Sequence, residues 1–246
     1  MNKKVSVDLG VDTPYIEKNN KIGEFKREMS YKFAFNLIKR HLYKNEIDPN
    51  NIDVLEVGIG SGYFPKFLFN KFSNAKYVGL EYDPRLIEFS REKAPKGTFI
   101  QGNAESFQLD QQFDIVVSFQ VVEHLYDPSA MLRNVYDHLK QGGLFLLTTP
   151  NLDGVGASIM GENWHGYRYD HVSLKGHDEW VNLIEGQGFE RSFSGSTFFT
   201  GLPWFNKMPL ALINWFMLMA FGALKWSKGE SFVGAFIKTE IESESK

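Results

Sequence analysis

The stretch Val54-Leu55-Glu56-Val57-Gly58-Ile59-Gly60-Ser61-Gly62 constrains this chain more than any other. A short apolar run carries an acid and gives way to three glycines at alternate positions. Ile52 to Val57 reads as a buried parallel strand, bounded by Asp48-Pro49-Asn50 before it and the glycines after it. Tyr63 to Phe69 has the apolar density of a helix packed on a sheet. Strand, glycine turn and helix open a nucleotide-binding α/β fold, where glycine gives left-handed angles and lets a ligand approach closely. A dinucleotide site wants G-x-G-x-x-G, and Tyr63 stands where its third glycine belongs. The pattern here is E-x-G-x-G-x-G, and an acid so near the turn suits a cationic ligand better than a pyrophosphate.

The rest of the chain alternates strands and helices. Ala75 to Glu81 reads as a second strand. It ends on an acid about 20 residues beyond the turn, where such folds place a carboxylate to accept a ribose diol. Thr98 to Gln101 reads as a third strand and Phe113 to Ser118 as a fourth, apolar enough for a central parallel position. Asp127 and Pro128 give N-cap and first-turn signals for a helix reaching Leu139. Gln141-Gly142-Gly143 marks its stop, and Leu144 to Pro150 a fifth strand. A helix from Asp178 to Gln187 and a sixth strand from Phe189 to Phe193 follow. Residues 1 to 29 are polar and turn-rich, and helical apolar spacing begins only with Tyr31 to Arg40.

Composition sets outer bounds. A chain of 246 residues fits one α/β domain with additions. Its net charge of -3 argues against a nucleic-acid surface built on bulk positive charge. With no cysteine, disulfides, thiolate zinc sites and a Cys nucleophile are excluded. Met1 to Asp8 lacks the apolar core of a signal peptide, so the expected compartment is the cytoplasm.

The glycine turn, the acid of Glu81, Val121-Val122-Glu123-His124-Leu125-Tyr126-Asp127-Pro128, Gly142-Gly143 and Pro150-Asn151 occur in a telling order. In these residues the chain resembles class I S-adenosylmethionine (SAM)-dependent methyltransferases, of the subgroup that includes ubiquinone-biosynthesis O-methyltransferases. The resemblance covers roughly residues 30 to 195. It implies an α/β fold: a seven-stranded Rossmann-like sheet flanked by helices, with an apolar helical insertion before the last strand. That strand, Ser231 to Ile237, is expected antiparallel at the sheet edge. The implied organisation is a single domain: lid helices over 1–45, a cofactor core over 50–195, the insertion over 197–228 and the final strand over 229–238. SAM is the implied cofactor, held by Glu56, Gly58, Gly60, Gly62, Glu81, Tyr82, Asn103, Ala104 and Phe119, with Glu105 beside the adenine edge.

Methyl transfer from a sulfonium is an in-line displacement, so alignment matters most, and an oxygen acceptor gains from a base or metal that removes its proton. The loop after the fourth strand falls beside the cofactor, which favours Glu123 and His124. Gly161 to His171, dense in His, aromatic and charged residues, would wall the acceptor pocket and adds His171. Some relatives, including small-RNA 2'-O-methyltransferases, bind a divalent metal through E-x-x-E-H and a later His. Here Gln120 replaces the first carboxylate, which weakens such a site. The expectation is no metal, with Gln120, Glu123, His124 and His171 as the set that would hold a cation. In the plainer reading, Glu123 and His124 orient the loop and His171 caps the next helix.

Pro209 to Leu224 is apolar on every face except at Asn214. Lys207 and Lys225 bracket about 17 residues, Lys228 lies beyond, and Trp204, Trp215 and Trp226 fall within or beside the run. Spanning a bilayer takes about 20. Such a helix lies in a membrane interface, lines an apolar acceptor site, packs in a dimer or folds over its own domain. The resulting expectation is O-methylation of a small or lipid-like acceptor, with no nucleic-acid partner. Peripheral contact with the inner face of a membrane, or a homodimer, would use residues 203–226. The alternatives are a nicotinamide-dependent oxidoreductase, and a non-catalytic SAM-fold module docking through the same residues.

Overall fold

The computed structural model describes residues 21–60, 62–197 and 202–239. Helix α1 (Lys21–Lys44) opens the described chain. It begins upstream of the apolar spacing at Tyr31, because Glu24, Lys26, Arg27, Glu28 and Met29 are strong helix formers that need no periodicity to continue a helix. The polar reading of residues 1–20 lies outside the described residues.

Five parallel strands then alternate with helices: β1 (Asp53–Val57), α2 (Tyr63–Phe69), β2 (Lys76–Glu81), α3 (Pro84–Lys93), β3 (Thr98–Gln101), β4 (Phe113–Phe119), α4 (Pro128–His138) and β5 (Leu139–Pro150). The caps read from the sequence are present. The Asp127 side chain accepts from the Ala130 N–H at 3.0 Å, with Pro128 in the first turn, an arrangement contributing about 1 kcal/mol. Past β5 come α5 (Val155–Met160), α6 (His177–Glu185), β6 (Phe189–Thr197), α7 (Leu210–Phe221), β7 (Ala223–Leu224) and β8 (Ser231–Lys238).

The sheet order is β3-β2-β1-β4-β5-β8-β6-β7, and three expectations need correcting. The sheet has eight strands rather than seven, because two residues beyond α7 pair as Ser196↔Leu224 and Thr197↔Ala223. The closing strand is antiparallel but is not at the edge: β8 enters between β5 and β6 and bonds to both. Its residues explain this, since Phe232 and Phe236 pack into the core on one face and Ala235 on the other. Finally, Gln141-Gly142-Gly143 is not a loop between helix and strand. Phe113 already pairs with Leu139, and the register shifts before Ile115 meets Leu144, so the glycines form an irregularity inside β5.

The core covers both sheet faces. Ile38, Phe64, Ile115 and Val117 join α1 and α2 to one face, while Leu55, Val116, Leu132 and Trp180 join α4 and α6 to the other. Strands enclosed this way are mostly apolar, which is why β4 reads as a near-continuous run.

Candidate active site

Parallel strands gather their carboxyl ends on one rim of the sheet, and this rim collects most residues singled out from the sequence. From β1 comes the glycine turn. Gly58 and Gly62 have φ of 79° and 68°. A Cβ at Gly58 would fall 2.3 Å from Val121 Cγ2, and one at Gly62 2.6 Å from Ser90 Oγ. Both backbone angle and space therefore demand glycine. The contact with Val121 also sets the turn directly against the loop that carries Glu123 and His124.

Glu81, at the end of β2, is tied into the turn. Its Oε2 accepts the Gly60 N–H at 3.0 Å, and its Oε1 accepts those of Tyr82 and Asp83 at 2.8 and 3.1 Å. Burial raises its pKa against the opposing pull of these amides. A carboxylate offers about four acceptor positions, so one remains beyond the three amides. Tyr82 beside it is exposed. After β3, Asn103 Oδ1 accepts the Glu105 N–H at 2.9 Å, an Asx turn, and the Ala104 carbonyl accepts from Asn134 at 3.3 Å. Glu105 Oε1 accepts the Asp127 N–H at 2.7 Å. Phe119, at the end of β4, packs its ring against Tyr31 and Phe64 at 5.4 and 5.1 Å.

Glu56 differs from this group. It is buried and accepts the Tyr77 hydroxyl, and desolvation pushes its carboxyl well above the usual carboxylate range. What the motif offers a ligand is then glycine backbone, with the acid enclosed in the fold. The rim suits SAM: Gly58, Gly60 and Gly62 carry no side chain to exclude it and Ile59 is buried, Glu81 keeps an acceptor position for a ribose hydroxyl, and Tyr82 is exposed.

The second constellation is Glu123, His124 and His171, whose ligand-type atoms all lie within 4.8 Å of one another. Glu123 is 1% exposed; Thr149 Oγ1 donates to its Oε2 at 3.0 Å, and its Oε1 has no hydrogen-bond partner. Desolvation pushes its pKa up to about 7, against the Thr149 hydrogen bond and despite Arg168 nearby. His124 Nδ1 lies 3.0 Å from the Asp170 carbonyl and 3.4 Å from the Asp170 carboxylate. His171 Nδ1 lies 2.7 Å from the Gly166 carbonyl. A carbonyl can only accept, so both rings carry hydrogen on Nδ1 and keep Nε2 as a lone pair. The rings meet edge to face at 4.7 Å. Partial burial lowers both histidines, so each is a neutral imidazole at pH 7. His171 does not cap α6, whose first turn is closed by Glu179 accepting the Gly176 N–H at 2.7 Å. Gln120, the remaining member of the cation set, has a left-handed φ of 57° and is tied to Thr148 through its N–H at 2.8 Å.

Several partners escape sequence reasoning. Thr149 closes an apolar strand and offered no signal beyond its place at the carboxyl end of β5. Asp170 stands in the conspicuous loop, but its bidentate bond from Arg168, at 2.9 Å to each oxygen, and its pairing with His124 follow only from the fold. Glu230, just before β8, is 3% exposed and accepts Trp164 Nε1 at 2.7 Å and the Gly156 N–H at 3.1 Å. It fixes the loop that leads to His171.

Comparison with known proteins bears on the family and the fold. A family model described as a methyltransferase domain matches residues 25–191. An S-adenosylmethionine-dependent methyltransferase of Mycolicibacterium smegmatis is 36% identical over 100 residues, 40% of this chain and 38% of that protein. A malonyl-[acyl-carrier protein] O-methyltransferase of Paenibacillus is 23% identical over 180 residues, 68% of this chain and 64% of its own length. The matched stretch thus spans about 38% of the first of these and about 64% of the second. Among solved structures, the methyltransferase in complex with the Haloferax volcanii Trm112 activator superposes with a TM-score of 0.59 at 16% identity, over 88% of this chain and 98% of that one. N-methyltransferase NodS of Bradyrhizobium japonicum gives 0.57 at 13% identity, over 86% and 97%. At these identities the structures speak for the fold, and the family model, with the glycine turn and Glu81 on one rim, for the rest: the chain belongs to the class I SAM-dependent methyltransferases.

Proposed function

We propose that this chain moves a methyl group from SAM to an oxygen of a small or lipid-like acceptor, as ubiquinone-biosynthesis O-methyltransferases do. One observation carries the reading. Two neutral imidazoles with Nε2 lone pairs stand beside a buried carboxyl: Glu123 and His124 on the loop that Val121 packs against the glycine turn, and His171 brought in from the segment after β5. The relatives named malonyl-[acyl-carrier protein] O-methyltransferase support oxygen as the receiving atom. The nicotinamide alternative gives way to the family assignment.

When bound, SAM supplies an electrophilic methyl on a sulfonium. The rest falls to the chain. The glycine turn and Glu81 hold and orient the cofactor. His124 Nε2 takes the proton of the acceptor hydroxyl, and the Asp170 carboxylate at 3.4 Å stabilises the imidazolium that results. His171, pinned by Gly166, sets the ring of His124 edge-on. Glu123 and Thr149 anchor the loop from behind.

The test is transfer of labelled methyl to a panel of phenols and hydroxylated lipids. His124→Ala should lower kcat by roughly 10²–10⁴-fold, the usual size of a general-base contribution, with binding of S-adenosylhomocysteine unchanged. A variant with wild-type kcat would sink the base assignment. A second reading rests on the three ligand atoms within 4.8 Å, which also suit a divalent cation. Under the base reading, activity is indifferent to chelator. Loss in chelator, restored by a divalent cation, would favour the second.

A further inference from the structure

The segment between β6 and β8 is unlike the rest of the surface. Leu212, Ile213 and Phe216 of α7 are 60%, 51% and 60% exposed. Successive residues turn by about 100°, so these three share one arc of the helix. Asn214, on the opposite side, is buried. Just before the helix, Trp204 and Met208 are also exposed. No other stretch among the described residues shows large aliphatic and Trp or Phe side chains so densely. A helix that buries its polar residue and turns its apolar face outward lacks the partner for which that face is shaped.

Charge says what the partner is. The chain as a whole is at -3, yet residues 198–229 contain Lys207, Lys225 and Lys228 and no Asp or Glu. All three lysines are exposed; Lys228 lies 3.9 Å from the Asp153 carboxylate, so Lys207 and Lys225 carry the charge at the two ends. An apolar strip with basic residues at its ends matches an anionic lipid surface, with rings and aliphatic chains below the headgroups and ammonium groups among them. It does not match a second copy of itself, because a two-fold contact would bring the same lysines together. Twelve helical residues reach about 18 Å, short of the ~30 Å hydrocarbon layer, and no helix among the described residues is long and apolar enough to cross. The helix would lie in the interface plane.

The position of α7 links this surface to the rim. β7, directly after α7, pairs with Ser196 and Thr197. These residues end β6, which runs antiparallel to β8 as β5 does, and so points to the same rim as the glycine turn. Gly222 packs on Phe33 of α1, and Tyr31 of the same helix packs on Phe119 at the rim.

We propose that the outward face of α7 with the Trp204–Met208 turn docks the protein onto an anionic bilayer. The active-site rim then faces the membrane, and the acceptor is a hydroxylated lipid taken from it. The acceptor class rests on the methyltransferase reading above; docking does not. The test is co-sedimentation of the purified full chain with vesicles of phosphatidylcholine alone and of phosphatidylcholine with an equal part of phosphatidylglycerol. Binding should require phosphatidylglycerol and fall roughly tenfold or more in Lys207→Gln/Lys225→Gln, and likewise in Leu212→Ser/Phe216→Ser. Both variants alter exposed side chains, and unchanged thermal unfolding verifies their folding. Wild-type protein that ignores both vesicles, or variants that bind as it does, would overturn the proposal. So would a concentration-dependent dimer abolished by Leu212→Ser/Phe216→Ser without vesicle binding. Docking without SAM binding would instead fault the enzyme reading and leave the surface standing.

Discussion

At Glu123 a carboxyl with one unpartnered oxygen is enclosed between a threonine and two histidines. Its pKa stands at about 7 in the fold, against an ordinary value of 4.5. Between those values the unfolded chain gives up a proton that the folded chain keeps. Stability therefore falls as pH rises through this window, by about 3 kcal/mol in total. Glu123→Gln, with chelator present to exclude cations, should flatten this slope while leaving stability near pH 4 little changed. Denaturant melts across pH 4 to 8 check it, and parallel curves for the two proteins would refute the burial cost. The sequence singles this position out, because an acid and a histidine beside a glycine-turn fold invite chemistry. Its environment was not. Thr149 ends β5 while Gly166 and Asp170 stand in the later loop, and only tertiary contact decides which carbonyl pins which ring. Glu56 makes the same point in reverse: proximity along the chain suggested a ligand contact, and the alternation of β1 delivered the side chain to Tyr77.

Elements were read better than their neighbours. The first five strands follow from apolar runs and caps, with β3 placed residue for residue. The edge position expected for β8 overlooked its own pattern: Phe232, Val233, Ala235 and Phe236 are apolar on both faces, as an interior strand requires. The glycines of β5 look like a stop, and the sheet absorbs them as an irregularity because Leu139 already has a partner in Phe113. Glu230 ties these late elements to Trp164 and Gly156, on the chain that leads to His171. Glu230→Ala leaves the Trp164 and Gly156 N–H groups unpaired in the interior, which should cost about 2–4 kcal/mol. Amide hydrogen exchange over residues 154–172 should speed up well beyond the global change. Exchange there equal to wild type would show that the loop holds itself.

For the whole molecule, sequence order becomes function by geometry: parallel strands bring the turn, Glu81 and the Glu123–His124 loop onto one rim from segments far apart in the chain. The apolar insertion was visible as composition; which of its faces is outward depended on where Asn214 found burial. The proposed function requires that this rim bind SAM. Calorimetric titration of the full chain with SAM and S-adenosylhomocysteine, beside Glu81→Ala, tests it most directly. The prediction is saturable micromolar binding of both ligands, lost in the variant because Gly60, Tyr82 and Asp83 lose their common acceptor as well as the ribose its own. Absence of binding in the wild-type chain, or full binding by Glu81→Ala, would contradict it.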